Sequence, residues 1–131
     1  MKSFLVWFQL MVLATLPCLA VAKDVQDAQV GFPPKSTMEA ALIRGENVYK
    51  RYCVLCHGVE ADGQGRAAKQ YDPKPANLMR SPYPSVYKEM IIRRGGEALG
   101  RSKFMPPWEQ ELTDEQISDL VQYLGTLVKP Q

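Results

Sequence analysis

The sequence predicts an all-α domain, and two features of the chain lead to this prediction. Apolar residues recur at helical spacing in three segments, and no segment shows the apolar–polar alternation of a half-buried strand. Long stretches rich in glycine and proline separate these segments. We therefore expect three to four helices joined by long irregular loops.

The first helix is predicted to begin at a capping box formed by Ser36 and Glu39. The helix then runs toward Cys53, because the apolar residues before this cysteine recur at helical spacing. These residues are Met38, Ala41, Leu42, Gly45, Val48, Tyr49 and Tyr52.

A long loop is predicted over residues 58–84, which contain three glycines and four prolines. A loop of this length inside a compact domain needs a function or something large to pack against. A short helix is expected after it, over about 85–94, and Gly95 and Gly96 end this helix. Its predicted apolar face consists of Val86, Met90 and Ile91.

The last helix has the strongest local signals. Thr113 and Gln116 form a capping box, and Asp114 and Glu115 suit the first turn of a helix. Pro130 is expected to stop the helix. Its predicted apolar stripe consists of Ile117, Leu120, Val121, Leu124 and Leu127.

Residues 1–22 have the pattern of a secretory signal peptide, with Lys2, an apolar run and a small-residue ending at Ala22. Cleavage there would leave 109 of the 131 residues, as a leader (23–35) and one domain (36–131). The alternative is an uncleaved anchor, since the uncharged run 3–22 is 20 residues long and suffices to span a bilayer. We therefore expect an exported, periplasmic protein that is either soluble or anchored at the membrane.

The charge of the mature chain is nearly balanced. Of 16 Lys and Arg residues, removal of Lys2 leaves 15, against 14 Asp and Glu. No polybasic block is present, and we therefore expect no nucleic-acid partner. From Lys88 to Lys103 there are five basic and two acidic residues, whereas residues 104–131 contain five acidic and one basic residue. This polarity predicts a basic patch that would steer an acidic partner.

The stretch Cys53–Val54–Leu55–Cys56–His57 admits three interpretations. A structural zinc site needs four ligands, whereas the chain after residue 22 contains no Cys or His besides the three of this motif. A redox dithiol normally opens a helix after a strand, whereas this motif ends a helix. Cys-x-x-Cys-His is the signature of c-type haem attachment, in which two cysteines bind the porphyrin covalently and the histidine ligates iron. The motif therefore favours one covalently bound haem c, with His57 as an axial ligand.

The second axial ligand must be another residue type or be absent, because His57 is the only histidine. Methionine opposite histidine is a known pairing that raises the reduction potential. Met38 and Met90 lie on predicted apolar stripes, where core packing accounts for them. Met105 lies in a loop and is fixed by the two prolines that follow it, and it is therefore the predicted ligand. Met79, in the earlier loop, and an open sixth position are the alternatives.

These segments together resemble the class I c-type cytochromes, over roughly residues 36–128. GENVYKRYCVLCH is similar to the first helix and haem motif of that family, and GVEADGQGRAAKQYDPKPANLM is similar to its haem-wrapping loop. KFMPPW resembles the methionine loop, and LVQYLGTL resembles the last helix. The resemblance implies a cytochrome c-like fold, in which the first and last helices cross near Gly45 with Tyr123 packed close.

The resemblance also implies a haem environment. A proline carbonyl in the wrapping loop, that of Pro73 or Pro75, is expected to orient the ring of His57. Trp108 is expected near the haem. Trp108, Arg66, Arg80 and Arg94 are the candidates for neutralising the haem propionates.

The expected function is one-electron transfer, not enzyme catalysis, between redox partner proteins that are acidic-faced or membrane-bound. His57 and Met105 would close both axial positions, and substrate could not reach the iron. One alternative is a dedicated haem c subunit of an exported dehydrogenase or terminal oxidase. The other is a haem sensor or enzyme with an open sixth position, for which the sequence offers no acid–base pair.

Overall fold

The structure, a computed structural model, describes residues 35–128. Within this range the chain forms four α-helices and three 3-10 turns and contains no strand, which confirms the all-α prediction. The helices are α1 (Met38–Tyr52), α2 (Val54–His57), α3 (Ser85–Arg94) and α4 (Asp114–Thr126). The 3-10 turns are Ala68–Gln70, Leu78–Arg80 and Glu97–Leu99.

The predicted signal peptide (1–22), most of the leader (23–35) and Pro130 lie outside the described residues. In the part of the chain that is described, no helix has the length and hydrophobicity needed to cross a membrane. The longest, α1, has 15 residues, whereas a span needs about 20 apolar ones.

Helix α1 begins one residue later than predicted. Thr37 is its N-cap, with extended backbone and a side-chain hydroxyl that accepts a hydrogen bond from the N–H of Ala40 at 3.2 Å. The predicted box of Ser36 and Glu39 is therefore wrong by one residue, because the two adjacent hydroxyl residues offer equivalent caps and the turn geometry selects the second. Met38, predicted on the apolar face, is 64% exposed.

Helix α1 crosses α4 at very short range, as the resemblance implied. A Cβ atom on Gly45 would lie 2.1 Å from the carbonyl oxygen of Asp119 and 2.9 Å from the Cβ of Tyr123. The neighbouring residue Arg44 fixes this crossing, since its guanidinium donates from Nε (2.6 Å) and Nη2 (3.2 Å) to the buried carboxylate of Asp119. The tilted ring of Tyr123 packs 5.7 Å from that of Tyr49.

Helix α4 is capped as predicted. The hydroxyl of Thr113 accepts from the N–H of Gln116, whose side chain accepts in return from the N–H of Thr113. The predicted apolar stripe forms the centre of the core, where Ile117 and Leu120 are almost fully buried. The buried core residues are Val48, Tyr49, Ala61, Ile92, Leu112, Ile117, Leu120, Val121 and Leu124.

Helix α3 has the predicted bounds, but of its predicted inner face only Ile91 is partly buried. Val86 is 71% and Met90 is 40% exposed, whereas Lys88 and Ile92 are buried. Lys88 and Ile92 are four residues apart and therefore share one face of the helix, and this is the face that turns inward. The apolar pattern of so short a helix was compatible with more than one inward face.

Replacement of Gly45 tests the helix crossing. We expect Gly45→Ala to lower the free energy of unfolding by about 2–3 kcal/mol, because the new methyl group meets backbone that cannot move without separating α1 from α4. Gly125→Ala, in α4, is the matched control, because nothing lies within 4 Å of its Cβ position. In denaturant unfolding, this control substitution should raise the free energy of unfolding by about 0.5–1 kcal/mol. Equal effects of the two substitutions would contradict the close crossing.

Candidate functional site

A cleft of about 330 Å³ lies beside the core, a volume within the range of about 300–1,000 Å³ that is usual for ligand sites. Residues from α1, α2, α3, α4 and both long loops line it. Its apolar walls include Tyr49, Tyr52, Leu78, Ile91, Ile92, Phe104, Leu120 and Leu124. Three of the sequence-predicted site residues lie together on this lining in one short segment, namely Cys53, Cys56 and His57.

The local fold explains how one short segment brings these three side chains to the cleft. Cys53 ends α1, with its N–H donating to the carbonyl of Tyr49 at 2.9 Å. The single turn α2 follows, and the N–H groups of Cys56 and His57 both donate to the carbonyl of Cys53. The hydroxyl of Tyr49 then donates to the carbonyl of Gly58 at 2.6 Å and holds the end of this turn.

The two cysteines are free thiols, and their environment does not suit a reactive dithiol. Burial, with a smaller contribution from Cys56, raises the pKa of Cys53 to about 12. Redox-active cysteines instead have lowered pKa values that favour the thiolate. The raised pKa of Cys53 therefore disfavours the dithiol interpretation, and both cysteines line the cleft.

The ring of His57 is oriented by the backbone of the wrapping loop. Its Nδ1 lies 3.0 Å from the carbonyl oxygen of Ala76. Because a carbonyl can only accept, Nδ1 carries the proton and donates, and this leaves the lone pair on Nε2. Burial lowers the pKa of His57, with the Ala76 hydrogen bond acting in the opposite direction, and the ring is therefore predominantly neutral at pH 7. A neutral, oriented imidazole is the form that ligates a metal.

The acceptor for His57 differs from the prediction. Pro73 and Pro75 line the cleft, but neither carbonyl accepts from His57. The physical reason lies at Gly63, where a Cβ atom would be 2.5 Å from the carbonyl oxygen of Pro75. That carbonyl packs against the glycine, and the next one along the chain, that of Ala76, faces the histidine.

Met105 also lines the cleft, and its backbone is fixed on both sides. Its carbonyl accepts from the N–H of Gly96 at 2.8 Å, and its own N–H donates to the carbonyl of Ser102 at 3.2 Å. The two glycines after α3 thus do more than end that helix. A Cβ on Gly96 would lie 2.2 Å from the carbonyl oxygen of Ser102, and one on Gly95 would lie 2.9 Å from that of Met105.

The other methionines of the described residues do not line the cleft. Met38 and Met90 are 64% and 40% exposed, so the prediction that both pack in the core is wrong. Met79 packs against the core cluster. Their positions nevertheless leave Met105 as the methionine of the described chain that faces the cleft.

Trp108 lies on the cleft lining, where its predicted role would require it. The backbone N–H of Trp108 donates to the carbonyl of Ile92 at 2.9 Å, which ties the methionine loop to α3. Its ring makes an edge contact with Tyr52, with 5.4 Å between the ring centroids.

Three cations on the lining were missed by sequence reasoning: Lys74, Lys88 and Arg101. Among the described residues that line the cleft there is no Asp or Glu. The three arginines proposed from the sequence as propionate partners, Arg66, Arg80 and Arg94, are exposed and lie outside this lining. A signal for Lys88 existed, because it precedes Ile91 and Ile92 by three and four residues and so interrupts an apolar face.

Arg101 organises two tyrosines at the cleft. Its Nε donates to the hydroxyl of Tyr87 at 3.0 Å, and its Nη2 donates to the hydroxyl of Tyr83. The two phenol rings stack with centroids 4.3 Å apart. Since both hydroxyl oxygens accept from the arginine, both O–H protons remain for another acceptor.

The family model for subunit III of cbb3-type cytochrome C oxidase matches residues 40–124, which include the cysteine–histidine motif and Met105. The CcoP subunit of a cbb3-type cytochrome c oxidase from Azospirillum brasilense is 28% identical over 96 residues, which cover 71% of this chain and 30% of that protein. The chain thus corresponds to less than a third of this relative.

A chain of the reducing HAO-like protein complex of Kuenenia stuttgartiensis is similar in structure, with a TM-score of 0.55 and 32% sequence identity. The similarity covers 65% of this chain and 41% of the other. As with the oxidase subunit, the match extends over only part of the related protein.

Replacement of Gly96 tests how the methionine loop is held. We expect Gly96→Ala to displace residues 102–105, because the added methyl group would meet the Ser102 carbonyl at 2.2 Å. This should lower the free energy of unfolding by about 1–3 kcal/mol in denaturant titration, because the backbone must shift to accommodate the methyl group. Gly125→Ala, which meets nothing within 4 Å, should not lower it. An unchanged free energy of unfolding in Gly96→Ala would contradict the packing described for this loop.

Proposed function

Because this chain belongs to the family of c-type cytochrome domains represented by subunit III of cbb3-type cytochrome C oxidase, we propose that it transfers single electrons between redox partner proteins. We propose that it does so as an exported carrier with one covalently attached haem c. The observation that carries this proposal is the shared cleft of Cys53, Cys56, His57 and Met105.

The residues of the cleft fit a haem. Two adjacent thiols and a neutral imidazole with a directed lone pair provide the groups that attach the porphyrin and bind its iron. The aliphatic and aromatic walls suit the faces of a large planar ring. The cations on the lining, to which no acidic residue of the described chain belongs, suit the two carboxylates of such a ring.

A bound haem supplies a one-electron couple. The iron ligands that the chain provides make that couple an electron carrier and not a catalyst. His57, whose ring is fixed by Ala76, and Met105, whose backbone is fixed by Gly96, would both ligate the iron, and this would exclude substrate from the metal. Hydrogen bonds hold the ring of His57 and the backbone of Met105 in place, and little rearrangement is expected when the charge of the site changes.

Replacement of the proposed methionine ligand tests the axial assignment. In holoprotein, Met105→Ala should abolish the charge-transfer band of methionine-bound ferric haem and open the reduced protein to carbon monoxide. The reduction potential should fall, because a thioether ligand favours the reduced state. Met79→Ala, which removes a methionine outside the cleft lining, is the matched control and should change neither property. Persistence of the band in Met105→Ala would exclude Met105 as the ligand.

The proposed partners carry acidic surfaces. The basic stretch seen in the sequence contributes less than its count suggested, because Arg93 pairs with Glu89 and Asp114 and because Lys88 is buried. A cationic rim nevertheless borders the cleft. It consists of the exposed residues Lys74, Arg101 and Lys103. Lys103 belongs to the rim because its ammonium lies 5.5 Å from the ring centroid of Phe104, which lines the cleft.

The salt dependence of electron transfer tests the cationic rim. The rate constant with an acidic redox protein should fall as ionic strength rises, since salt screens attraction between exposed charges. Lys103→Glu should lower the rate at low salt severalfold, whereas Lys69→Glu, an exposed lysine outside the cleft lining, should have a smaller effect. Rates that are flat or rise with added salt would contradict this docking polarity.

A fixed subunit of a redox complex is the second candidate. It is favoured by the similarity to an oxidase subunit and by two apolar side chains of α3, Val86 and Met90, that are exposed. Such a subunit would purify from its native source in constant stoichiometry with its partner. A carrier would purify alone.

A further inference from the structure

Lys88 is a buried residue whose charge has no role in the electron transfer proposed above. The residue is only 8% exposed, yet it lines the cleft. No described residue forms an ion pair or a side-chain hydrogen bond with its ammonium group. The ammonium itself stays accessible from the cleft, because none of the fully buried side-chain nitrogens of the described residues lacks a hydrogen-bond partner. A cation held against apolar walls without a counter-charge is disfavoured, and charges in such surroundings are normally paired.

The described part of the chain offers Lys88 no counter-charge on the cleft lining. None of the described residues that line the cleft is acidic, and the other two cations of the lining, Lys74 and Arg101, add to the positive potential. Desolvation lowers the pKa of Lys88, which is the expected direction for an amine that lacks an anionic partner. A ligand of this cleft that carries an anionic group would supply a counter-charge for Lys88.

The lining that Lys88 shares also carries hydroxyl donors suited to a carboxylate. Tyr83 and Tyr87 both line the cleft, and the hydroxyl oxygen of each accepts from Arg101. The protons of both hydroxyls therefore remain to be donated. The cleft lining thus combines cations and hydroxyl donors with no acidic residue among the described ones, which suits a group that only accepts.

We propose that Lys88 is the ion-pair partner of a carboxylate of the bound haem and that its positive charge raises the reduction potential. This inference rests on the proposed function, since it requires haem in the cleft. A positive charge inside the protein disfavours the more positive ferric state relative to the ferrous state. Lys88 thus acts as a positioning and tuning residue, separate from the axial ligands, by holding one edge of the cofactor.

The test measures the midpoint potential of holoprotein that carries Lys88→Met, which retains an unbranched side chain but removes the charge. We expect the ratio of ferrous to ferric protein at a fixed potential to fall on the order of tenfold. For a one-electron couple, this corresponds to a midpoint lower by about 59 mV. Lys88→Arg should keep a midpoint near that of the wild type. Lys69→Met, an exposed lysine outside the cleft lining, should leave it unchanged.

An unchanged midpoint in Lys88→Met overturns the inference, because a residue that serves only packing would not alter the potential. If Lys88→Met yields no holoprotein, Lys88→Arg decides. Recovery of holoprotein with a wild-type midpoint supports a requirement for charge, whereas failure of both variants indicates a requirement for shape and overturns the inference. Absence of covalent haem from the wild-type chain would instead refute the proposed function, independently of Lys88.

Discussion

The close crossing of α1 over α4 is the constraint on which the rest of the domain depends. The crossing leaves no room for a side chain at Gly45, and Arg44 reaches over it to the buried carboxylate of Asp119. With the two helices fixed in this way, the C-terminal end of α1 delivers Cys53 to the cleft, and Leu120 and Leu124 of α4 supply part of its wall. The site is thus an extension of the helix packing.

The cleft combines two environments that a haem would need. Its apolar walls suit the faces of the ring, and the cations and phenol hydroxyls of its lining suit the carboxylates. A chain of this size buries a small core, and a large bound ring would complete it. The long loop 58–84 also packs back on α2 through backbone hydrogen bonds, such as that from the N–H of Gly65 to the carbonyl of Cys56.

Features encoded locally could be predicted from the sequence. Each of these features depends on residues within one or two helical turns. They are the short helical turn that contains Cys56 and His57, the capping box at Thr113 and the bounds of α3. The comparisons likewise confirm the resemblance to c-type cytochromes. Features set by tertiary contacts could not be predicted. The inward turn of Lys88 depends on how α3 packs, and the choice of Ala76 over Pro75 depends on a loop carbonyl that rests on Gly63.

The most direct test of the account is the intact mass of the full chain, expressed with c-type maturation, purified and then denatured. We expect a polypeptide that is heavier by the mass of one haem, which stays attached after denaturation. Neither Cys53 nor Cys56 should then be alkylated. A polypeptide without added mass, in which both thiols react with iodoacetamide, would contradict the covalent attachment from which the proposed function is derived.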